Sequence, residues 1–171
     1  MHRFYLSPNE WNPDALRLGG SEAHHARNVL RLEPGAKVVL FNGCGRELTA
    51  EVVSLDPHAV VLRKLHETST APVRCRITLG QAIPKGKNME LIVQKAVELG
   101  AAEIVPIISD RTIVRLDQED AAQKQTRWQI IAIEAAKQCG QNWLPEVQTP
   151  RTLAQFFASA APSAPVATAL R

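Results

Sequence analysis

The stretch "CRITLGQAIPKGKNMELIVQKAVELGAAEIVPII", residues 75 to 108, decides the fold of the second half of the chain. Its two ends, "CRITLGQAI" and "EIVPII", are short and rich in β-branched residues, which predicts strands. Between them "NMELIVQKAVEL" has helical periodicity, with Asn88 as the predicted N-cap and Gly100 just past the end. Strand, helix and strand in this order predict a βαβ unit with parallel strands and a right-handed crossover.

The helix of this unit carries an unusual patch. A helical wheel predicts a buried arc formed by Met89, Ile92, Val93, Ala96, Val97 and Leu99. Leu91 lies outside that arc, between Lys95 and Glu98. A surface ion pair contributes only about 0.2–0.5 kcal/mol, and burying either ion without other partners costs several kcal/mol. The patch is therefore either exposed or covered by another element, for which the helix carrying Glu134 and Gln138 and a partner subunit are the candidates. If a C-terminal segment missing from this chain is the cover, we expect the patch to be unusually exposed.

The rest of the second half predicts more α/β structure. A long helix is expected from near Asp117 to Cys139, ending at Gly140, followed by a short helix in "TLAQFF" (152–157). "TIVRL" (112–116) predicts a short extended piece, and "VATAL" (166–170) the start of a buried strand. A parallel sheet of two or three strands cannot easily cover its own faces. We therefore expect the chain to be a fragment of a longer protein.

The first half has a different pattern, with many short strands. "HRFYL" (2–6) and "ALRL" (15–18) are brief, "AKVVLFN" (36–42) and "RELTAEVVSL" (46–55) flank a tight glycine turn and predict a hairpin, and "AVVLRKL" (59–65) follows. One helix is expected in "SEAHHARNVLRL" (21–32), with Ser21 as N-cap. This combination predicts a small β-barrel.

The polar segment "HETSTAP" (66–72) predicts a linker between the two halves. The resulting domains are residues 1–68, an N-terminal β-barrel, and residues 73–171, an incomplete parallel-sheet α/β domain. The fold class is therefore mixed, α+β in the first domain and α/β in the second.

Composition excludes several classes of protein. The 171 residues are 45% hydrophobic and 22% charged, which is ordinary for a soluble globular protein. No apolar run approaches the roughly 18 residues of a membrane helix, and the N-terminus has no signal-peptide core. The three cysteines form no C-x-x-C pair, and no pair of histidines has metal-binding spacing. We expect a cytoplasmic protein with no disulfide, no metal and no membrane partner.

Basic residues are concentrated in one part of the chain. From residue 63 to residue 95 there are seven lysines and arginines but only two glutamates. A solvated face is the ordinary explanation of such a stretch, and nucleic acid is the more specific one, because clustered cations bind phosphates. Both interpretations stay open on charge alone.

Two segments could contact an anionic ligand. The loop "GQAIPKGKN" (80–88) lacks the spacing of a phosphate-binding P-loop, but it places Lys85 and Lys87 after a strand and before a helix N-terminus, where anions bind. The predicted barrel helix places His24, Arg27 and Arg31 along one side, which is either a plain polar face or an RNA contact. No nucleophile–base pair stands out, so the catalytic residues stay unknown.

Three longer segments resemble the RsmE family of bacterial 16S rRNA (uracil-N3)-methyltransferases. They are "HHARNVLRLEPGAKVVLFNGCGRELTAEV", "AIPKGKNMELIVQKAVELGAAEIVPIISDRTIVR" and "RWQIIAIEAAKQCGQNWLPEV". The combination of K-x-x-E-L-G with E-A-x-x-Q-[SC] is fairly specific. The resemblance implies a PUA-like RNA-binding barrel, a SPOUT methyltransferase domain, S-adenosylmethionine as cofactor, 16S rRNA or the small ribosomal subunit as partner, and a homodimer.

The resemblance also implies roles for individual residues. His24, Arg27 and Arg31 fall at the barrel's H-x-x-x-V-L-R-type motif and Arg3 in its basic first strand, which implies RNA contacts. Residues at the signatures of the second domain are expected to organise the site or a dimer seam rather than to perform the chemistry. These residues are Leu91, Lys95, Glu98, Glu134 and Gln138.

The chain departs from the family pattern in two ways. Gln141 stands where family members commonly carry arginine, which puts a contact expected there in doubt. The family's G-P-E-G-G loop and its L-G-x-R-[IV]-L-R-x-E-T-A segment, which build the knot and hold the cofactor, do not occur. We therefore expect no cofactor-binding residue in this chain and no activity of the chain alone. A non-catalytic RNA-binding or ribosome-assembly protein is the alternative.

Overall fold

The computed structural model describes residues 1–109 and 117–159, which form two sheets with separate hydrophobic cores. The N-terminal part contains β1 His2–Tyr5, β2 Arg17–Leu18, α1 Gly20–His24, β3 Lys37–Phe41, β4 Arg46–Leu55 and β5 Val60–Ser69. The C-terminal part contains β6 Thr78–Ala82, α2 Asn88–Glu98, β7 Glu103–Ile108, α3 Gln118–Cys139, β8 Glu146–Val147, β9 Arg151–Thr152 and α4 Leu153–Ser159.

The N-terminal sheet has five strands in the order β1-β3-β4-β5-β2. The predicted hairpin is confirmed, since β3 pairs antiparallel with β4. Its turn is stabilised by Asn42, whose side-chain oxygen accepts hydrogen bonds from the backbone N–H groups of Cys44 (2.8 Å) and Arg46 (3.1 Å). Alternating residues of the strands fill the core, together with Ala23 and Ala26 of the helical segment. The largest side chains of this core include Phe4, Leu16, Leu18, Leu40 and Leu48. The predicted PUA-like β fold and the mixed fold class are confirmed.

The predicted linker at 66–72 is wrong in its first half. Residues 66–69 belong to β5, where His66 pairs with Thr49 and Ser69 with Arg46. The segment has few apolar residues, but the long partner strand β4 satisfies its backbone groups, and that long-range pairing outweighs local composition. The domain boundaries 1–68 and 73–171 stay a prediction.

The helical segment of the N-terminal part departs from the predicted single helix over 21–32. Helix α1 begins at Gly20 with Gly19 in extended conformation as N-cap, so Ser21 lies inside the helix and is not its cap. The chain continues as a π-helical turn, His25–Val29, in which Leu30 N–H donates to His25 O at 2.9 Å. Arg31 then adopts φ +50°, and the helix ends there.

The C-terminal sheet is parallel throughout its described pairings, as predicted. β7 pairs with β6 on one side, and with β8 and β9 in succession on the other. Helix α2 connects β6 to β7, and Gly100 follows its end with φ +80°. The predicted N-cap, Asn88, is instead the first helical residue, because Lys87 occupies the cap position without a side-chain hydrogen bond to the helix.

Helix α3 closes one face of the C-terminal sheet. Its N-cap Asp117 accepts a hydrogen bond from Asp120 N–H at 2.8 Å, and Gly140 ends it in left-handed conformation. The core between α2 and α3 is formed by Met89, Val93, Ala96 and Val97 on α2 and by Trp128, Ala132, Ala135 and Ala136 on α3. The short predicted helix after "QTP" is present as α4. The segments "TIVRL" and "VATAL" lie outside the described residues.

Candidate nucleic-acid interface

The two adjacent histidines, at the start of the π-helical turn, lie on different sides of the helical segment. His25 packs edge-on against Phe4, with ring centroids 6.0 Å apart, whereas His24 is exposed. Arg27 is half-buried and donates to Asn28 Oδ1 and to the carbonyl of Asp56, each at 3.2 Å. His24 is therefore free to contact a ligand without disturbing the core, while Arg27 also ties the helical segment to the turn between β4 and β5.

Arg31 has the most unusual backbone of the predicted RNA-contacting residues. It is the one described non-glycine residue with positive φ, and its side chain is exposed. The left-handed region normally favours glycine at a helix end, because an L side chain there costs about 1–2 kcal/mol. Strained residues and π-helical turns cluster at functional sites. Backbone and side chain therefore mark the same segment that the sequence predicts as an RNA contact.

Lys85 and Lys87 lie on the loop at the carboxyl end of β6. Both are exposed, and Gly86 between them has φ +75°. The loop borders a groove of about 430 Å³, open to solvent, that reaches across to α3; its lining includes Lys87, Asp120, Lys124, Arg127 and Trp128. Ligands of open α/β sheets bind at the carboxyl ends of strands, so this loop is well placed for an anionic partner.

Arg3 is engaged within the chain. Its guanidinium donates to Glu47 Oε2 (2.5 Å), Asn142 Oδ1 (2.8 Å) and Gln141 O (3.3 Å). Its Cζ atom lies 4.8 Å from the centroid of the Phe41 ring, and only 14% of the side chain is exposed. These contacts give Arg3 a structural role; the predicted RNA contact of Arg3 stays untested.

The patch on α2 is exposed. Lys95 Nζ lies 2.7 Å from Glu98 Oε2, and Gln94 donates to the other carboxylate oxygen at 2.9 Å. The hydrogen bond from Lys95, followed by that from Gln94, lowers the pKa of Glu98. Leu91 is 57% exposed. Leu99, predicted as part of the buried arc, is 85% exposed, because it follows the last helical residue of α2 and extends beyond the packed face.

Helix α3 does not cover Leu91, so that predicted cover is wrong. α3 packs against the opposite face of α2, and Glu134 and Gln138 are exposed. Glu134 instead accepts a hydrogen bond from Lys137 at 2.8 Å. That a partner subunit covers Leu91 stays a prediction. The predicted role in the site or a dimer seam also stays a prediction for Leu91, Lys95, Glu98, Glu134 and Gln138.

Lys137 joins α3 to the N-terminal helix. Its Nζ lies 3.0 and 3.2 Å from the two carboxylate oxygens of Glu22, and only 8% of the side chain is exposed. Burial opposes the charge of the ammonium group. The hydrogen bonds to Glu134 and Glu22 outweigh this desolvation, and the pKa of Lys137 is raised.

A second set of contacts, missed at the sequence level, follows α3. Asn142 donates from its amide to Thr70 Oγ1 (3.1 Å), and its backbone oxygen accepts from Gly45 N–H (2.9 Å). Trp143 Nε1 donates to Thr70 O at 3.0 Å. We call the contacts of residues 141–144 with the N-terminal part the domain junction. Its only sequence signal is a tryptophan in a polar loop directly after a helix-ending glycine.

Other classes of site find little support in the described part of the chain. Residues 1–109 and 117–159 contain no cluster of three or more His, Cys, Asp or Glu side chains suited to a metal ion. The three cysteines are free thiols, all exposed. Among the same residues, no helix combines the length and apolarity needed to cross a bilayer.

Comparison with known families agrees with this geometry. Residues 71–169, more than half of the chain, match the model of an RNA methyltransferase domain, and residues 18–65 match an RNA methyltransferase PUA domain. The chain belongs to the RsmE family of RNA methyltransferases.

Among RsmE relatives, ribosomal RNA small subunit methyltransferase E of Bacillus subtilis is 34% identical over 81% of this chain and 54% of its own length. The Synechocystis relative of the same name is 32% identical over 91% of this chain and 50% of its own. The chain thus spans about half the length of these curated relatives.

Solved RsmE-like structures share the fold. Ribosomal RNA small subunit methyltransferase E from Neisseria gonorrhoeae, bound to S-adenosyl methionine, superposes with a TM-score of 0.85 at 38% identity, over 95% of this chain and 67% of that one. A putative methyltransferase from Legionella pneumophila with bound SAM gives 0.83 at 38% identity, over 92% and 66%. The predicted family is confirmed.

Proposed function

We propose that this chain is the RNA-binding and scaffolding part of an S-adenosylmethionine-dependent enzyme that methylates N3 of a uridine in 16S rRNA. RNA binds through His24, Arg27 and Arg31 of the N-terminal part and through Lys85 and Lys87 of the C-terminal part. The enzyme works in the cytoplasm, where its ribosomal substrate is found. The observation that carries the proposal is membership of the RsmE family through both domains, in the order PUA then methyltransferase.

The backbone of the proposed RNA-binding segment supports the assignment. A π-helical turn followed by a left-handed arginine is locally costly, and no described hydrogen bond of the Arg31 side chain offsets that cost within the chain. A phosphate or base contact would give the exposed guanidinium a partner. Arginine suits that role because its planar donors match phosphate oxygens.

Cofactor binding is a different matter, because the lining of the groove at the carboxyl end of β6 is positive on balance. Lys87, Lys124 and Arg127 stand there against Glu90 and Asp120, and Arg127 pairs with Glu90, so the lining leaves a surplus of positive charge that opposes the sulfonium of the cofactor. We assign the cofactor to no residue of this chain; when bound, it would supply the methyl group. The chain alone is therefore proposed to be inactive.

The reaction defines what the chain must do. Methylation at N3 requires loss of the N3 proton and alignment of that nitrogen with the methyl group. Holding the uridine in place supplies the larger share of acceleration, and a general base typically adds about 10²–10⁴-fold. We assign no base to the described residues. Their proposed work is to bind and orient RNA, with Lys95, Glu98, Glu134 and Gln138 shaping the scaffold.

The exposed face of α2 is proposed as part of a dimer seam. Leu91 and Leu99 are large apolar side chains left in water, and the ion pair of Lys95 with Glu98 flanks Leu91. A second subunit covering this face would bury both leucines and keep the ion pair at its rim. The homodimer itself is a proposal.

A methyl-transfer assay tests the proposed function. Small ribosomal subunits are incubated with radiolabelled S-adenosylmethionine and either this chain or a form extended by the family's C-terminal segments. We expect the extended form to place one methyl group on N3 of a single uridine, detected as a block to reverse transcription, and the chain alone to transfer none. RNA binding by both forms without methylation by either would favour the non-catalytic alternative.

A further inference from the structure

Asn142 makes three hydrogen bonds to three separate segments of the N-terminal part. Its side-chain oxygen accepts from Arg3 of β1 (2.8 Å), and its side-chain amide donates to Thr70, which follows β5 (3.1 Å). Its backbone oxygen accepts from Gly45 in the turn between β3 and β4 (2.9 Å). An asparagine whose donor and acceptor are both used across a junction fixes position and rotation together, since each bond has its own direction.

The neighbours of Asn142 make the junction close-packed. Leu144 N–H donates to Gly43 O at 2.9 Å, and the Trp143 ring lies directly on Gly45. A Cβ atom at Gly45 would lie 2.6 Å from Thr70 O and 2.7 Å from the ring, and Gly45 also has φ +86°. Phe41 of β3 is fully buried in the core of the C-terminal part. The two parts therefore meet through fitted contacts rather than through a flexible tether.

We propose that Asn142 is a positioning residue that holds the RNA-binding N-terminal part at one fixed orientation to the methyltransferase domain. The two groups of proposed RNA contacts lie on different parts of the chain, Arg31 on the first and Lys85 and Lys87 on the second. A fixed junction lets one RNA engage both groups without a further loss of orientational freedom. This inference rests on the proposed function and adds to it the residue that couples the two surfaces.

A distance measurement tests the positioning without relying on activity. Spin labels are attached at V53C on β4 and I130C on α3, two exposed sites, after the three native cysteines are replaced by serine. The parent protein is expected to give one narrow distance distribution. N142A removes two of the three bonds and is expected to broaden it. N142D keeps the acceptor for Arg3 and can accept from the Thr70 hydroxyl, so it is expected to restore a narrow distribution.

A matched variant separates positioning from a general loss of packing. W143F removes the hydrogen bond to Thr70 O and part of the indole surface on Gly45 but keeps both side-chain bonds of Asn142, and it serves as the milder variant if N142A does not fold. It is expected to broaden the distribution less than N142A. Distributions as narrow as the parent's in both N142A and W143F would overturn the proposal.

RNA binding supplies the second readout. In the parent, the effects of R31G and of K85Q/K87Q on the free energy of 16S rRNA binding are expected to be non-additive, because both surfaces hold the same RNA. We call this non-additivity the interaction of the two sets of substitutions. In N142A the Kd is expected to rise roughly tenfold and this interaction to be lost. An N142A affinity equal to the parent's, with the interaction retained, would overturn the coupling. If the parent binds no RNA the proposed function fails, and the distance distributions still decide whether Asn142 fixes the orientation.

Discussion

Lys137 on α3 and Glu22 on α1 form an ion pair between residues 115 positions apart in the sequence, with Nζ within 3.2 Å of both carboxylate oxygens. The Lys137 side chain is 8% exposed and that of Glu22 is 17% exposed. The pair therefore lies in the contact between the N-terminal and C-terminal parts. Together with the domain junction at Asn142, this pair holds the N-terminal and C-terminal parts against each other through contacts within the chain.

The first prediction concerns the stability that this pair supplies. K137M should lower the free energy of unfolding by about 1.5–3 kcal/mol, the typical range for hydrogen bonds to charged groups. K95M is the matched control, because Lys95 makes one exposed i, i+3 pair and its loss should cost about 0.5 kcal/mol or less. Urea unfolding of both variants measures the difference. Equal losses in the two variants would contradict a structural role for Lys137.

The second prediction follows from the raised pKa of Lys137. A lysine whose pKa is higher in the folded state stabilises the fold fully below its unfolded pKa, about 10.4, and loses that contribution as pH rises through the folded pKa. The groups that face it are the side chains of Glu22 and Glu134. The stability difference between the parent and K137M should thus be constant from about pH 7 to pH 9 and shrink above about pH 10.5. A difference that grows with alkaline pH would have the wrong sign.

Local sequence patterns predicted most of the C-terminal part because its elements depend on local periodicity. The βαβ unit, α3 and α4 each have an apolar repeat and a punctuating glycine or proline that the structure uses as expected. Helix caps were less predictable. Ser21 and Asn88 are good N-cap residues by type, but the observed caps are Gly19, two positions before Ser21, and Lys87, one position before Asn88.

The domain junction could not be predicted from sequence. Arg3 and Asn142 are 139 residues apart, and each has an ordinary local pattern. Their contact arises because β1 lies at the edge of its sheet while the loop after α3 returns past it. Such a contact depends on how two parts pack, which no periodicity encodes. The extension of β5 through a segment with the composition of a linker has another cause, its backbone pairing with β4, which local composition does not encode either.

The third prediction separates stability from binding at Arg31. Because glycine adopts positive φ without strain, R31G should leave the free energy of unfolding within about 1 kcal/mol of the parent value, or raise it. The same variant should weaken RNA binding and reduce the slope of log Kd against log salt by about 0.7–0.9, the loss of one phosphate contact. Thermal unfolding and filter binding measure the two effects. Unchanged affinity at every salt concentration would remove Arg31 from the interface.

The fourth prediction concerns the exposed face of α2. L91Q should change the free energy of unfolding by no more than about 0.5 kcal/mol, because the side chain is 57% exposed. M89A is the buried control on the same helix and should cost about 2–5 kcal/mol. A loss in L91Q comparable to that in M89A would show that the face is already covered.

The dimer proposal is tested on the same face in the form extended by the family's C-terminal segments. L91Q combined with L99Q should shift that form from dimer to monomer in sedimentation experiments, because burying the two introduced amides without hydrogen-bond partners costs free energy. A dimer of unchanged affinity in the double variant would place the seam elsewhere.

The most direct test of the account is the salt dependence of 16S rRNA binding by this chain, compared with R31G and K85Q/K87Q. We predict that log Kd rises steeply and linearly with log salt for the parent. Each variant should have a shallower slope, because each removes phosphate contacts from a different part of the molecule. A flat salt response of the parent, or variants with the parent's slope, would contradict the claim that this chain reads RNA with both of its domains.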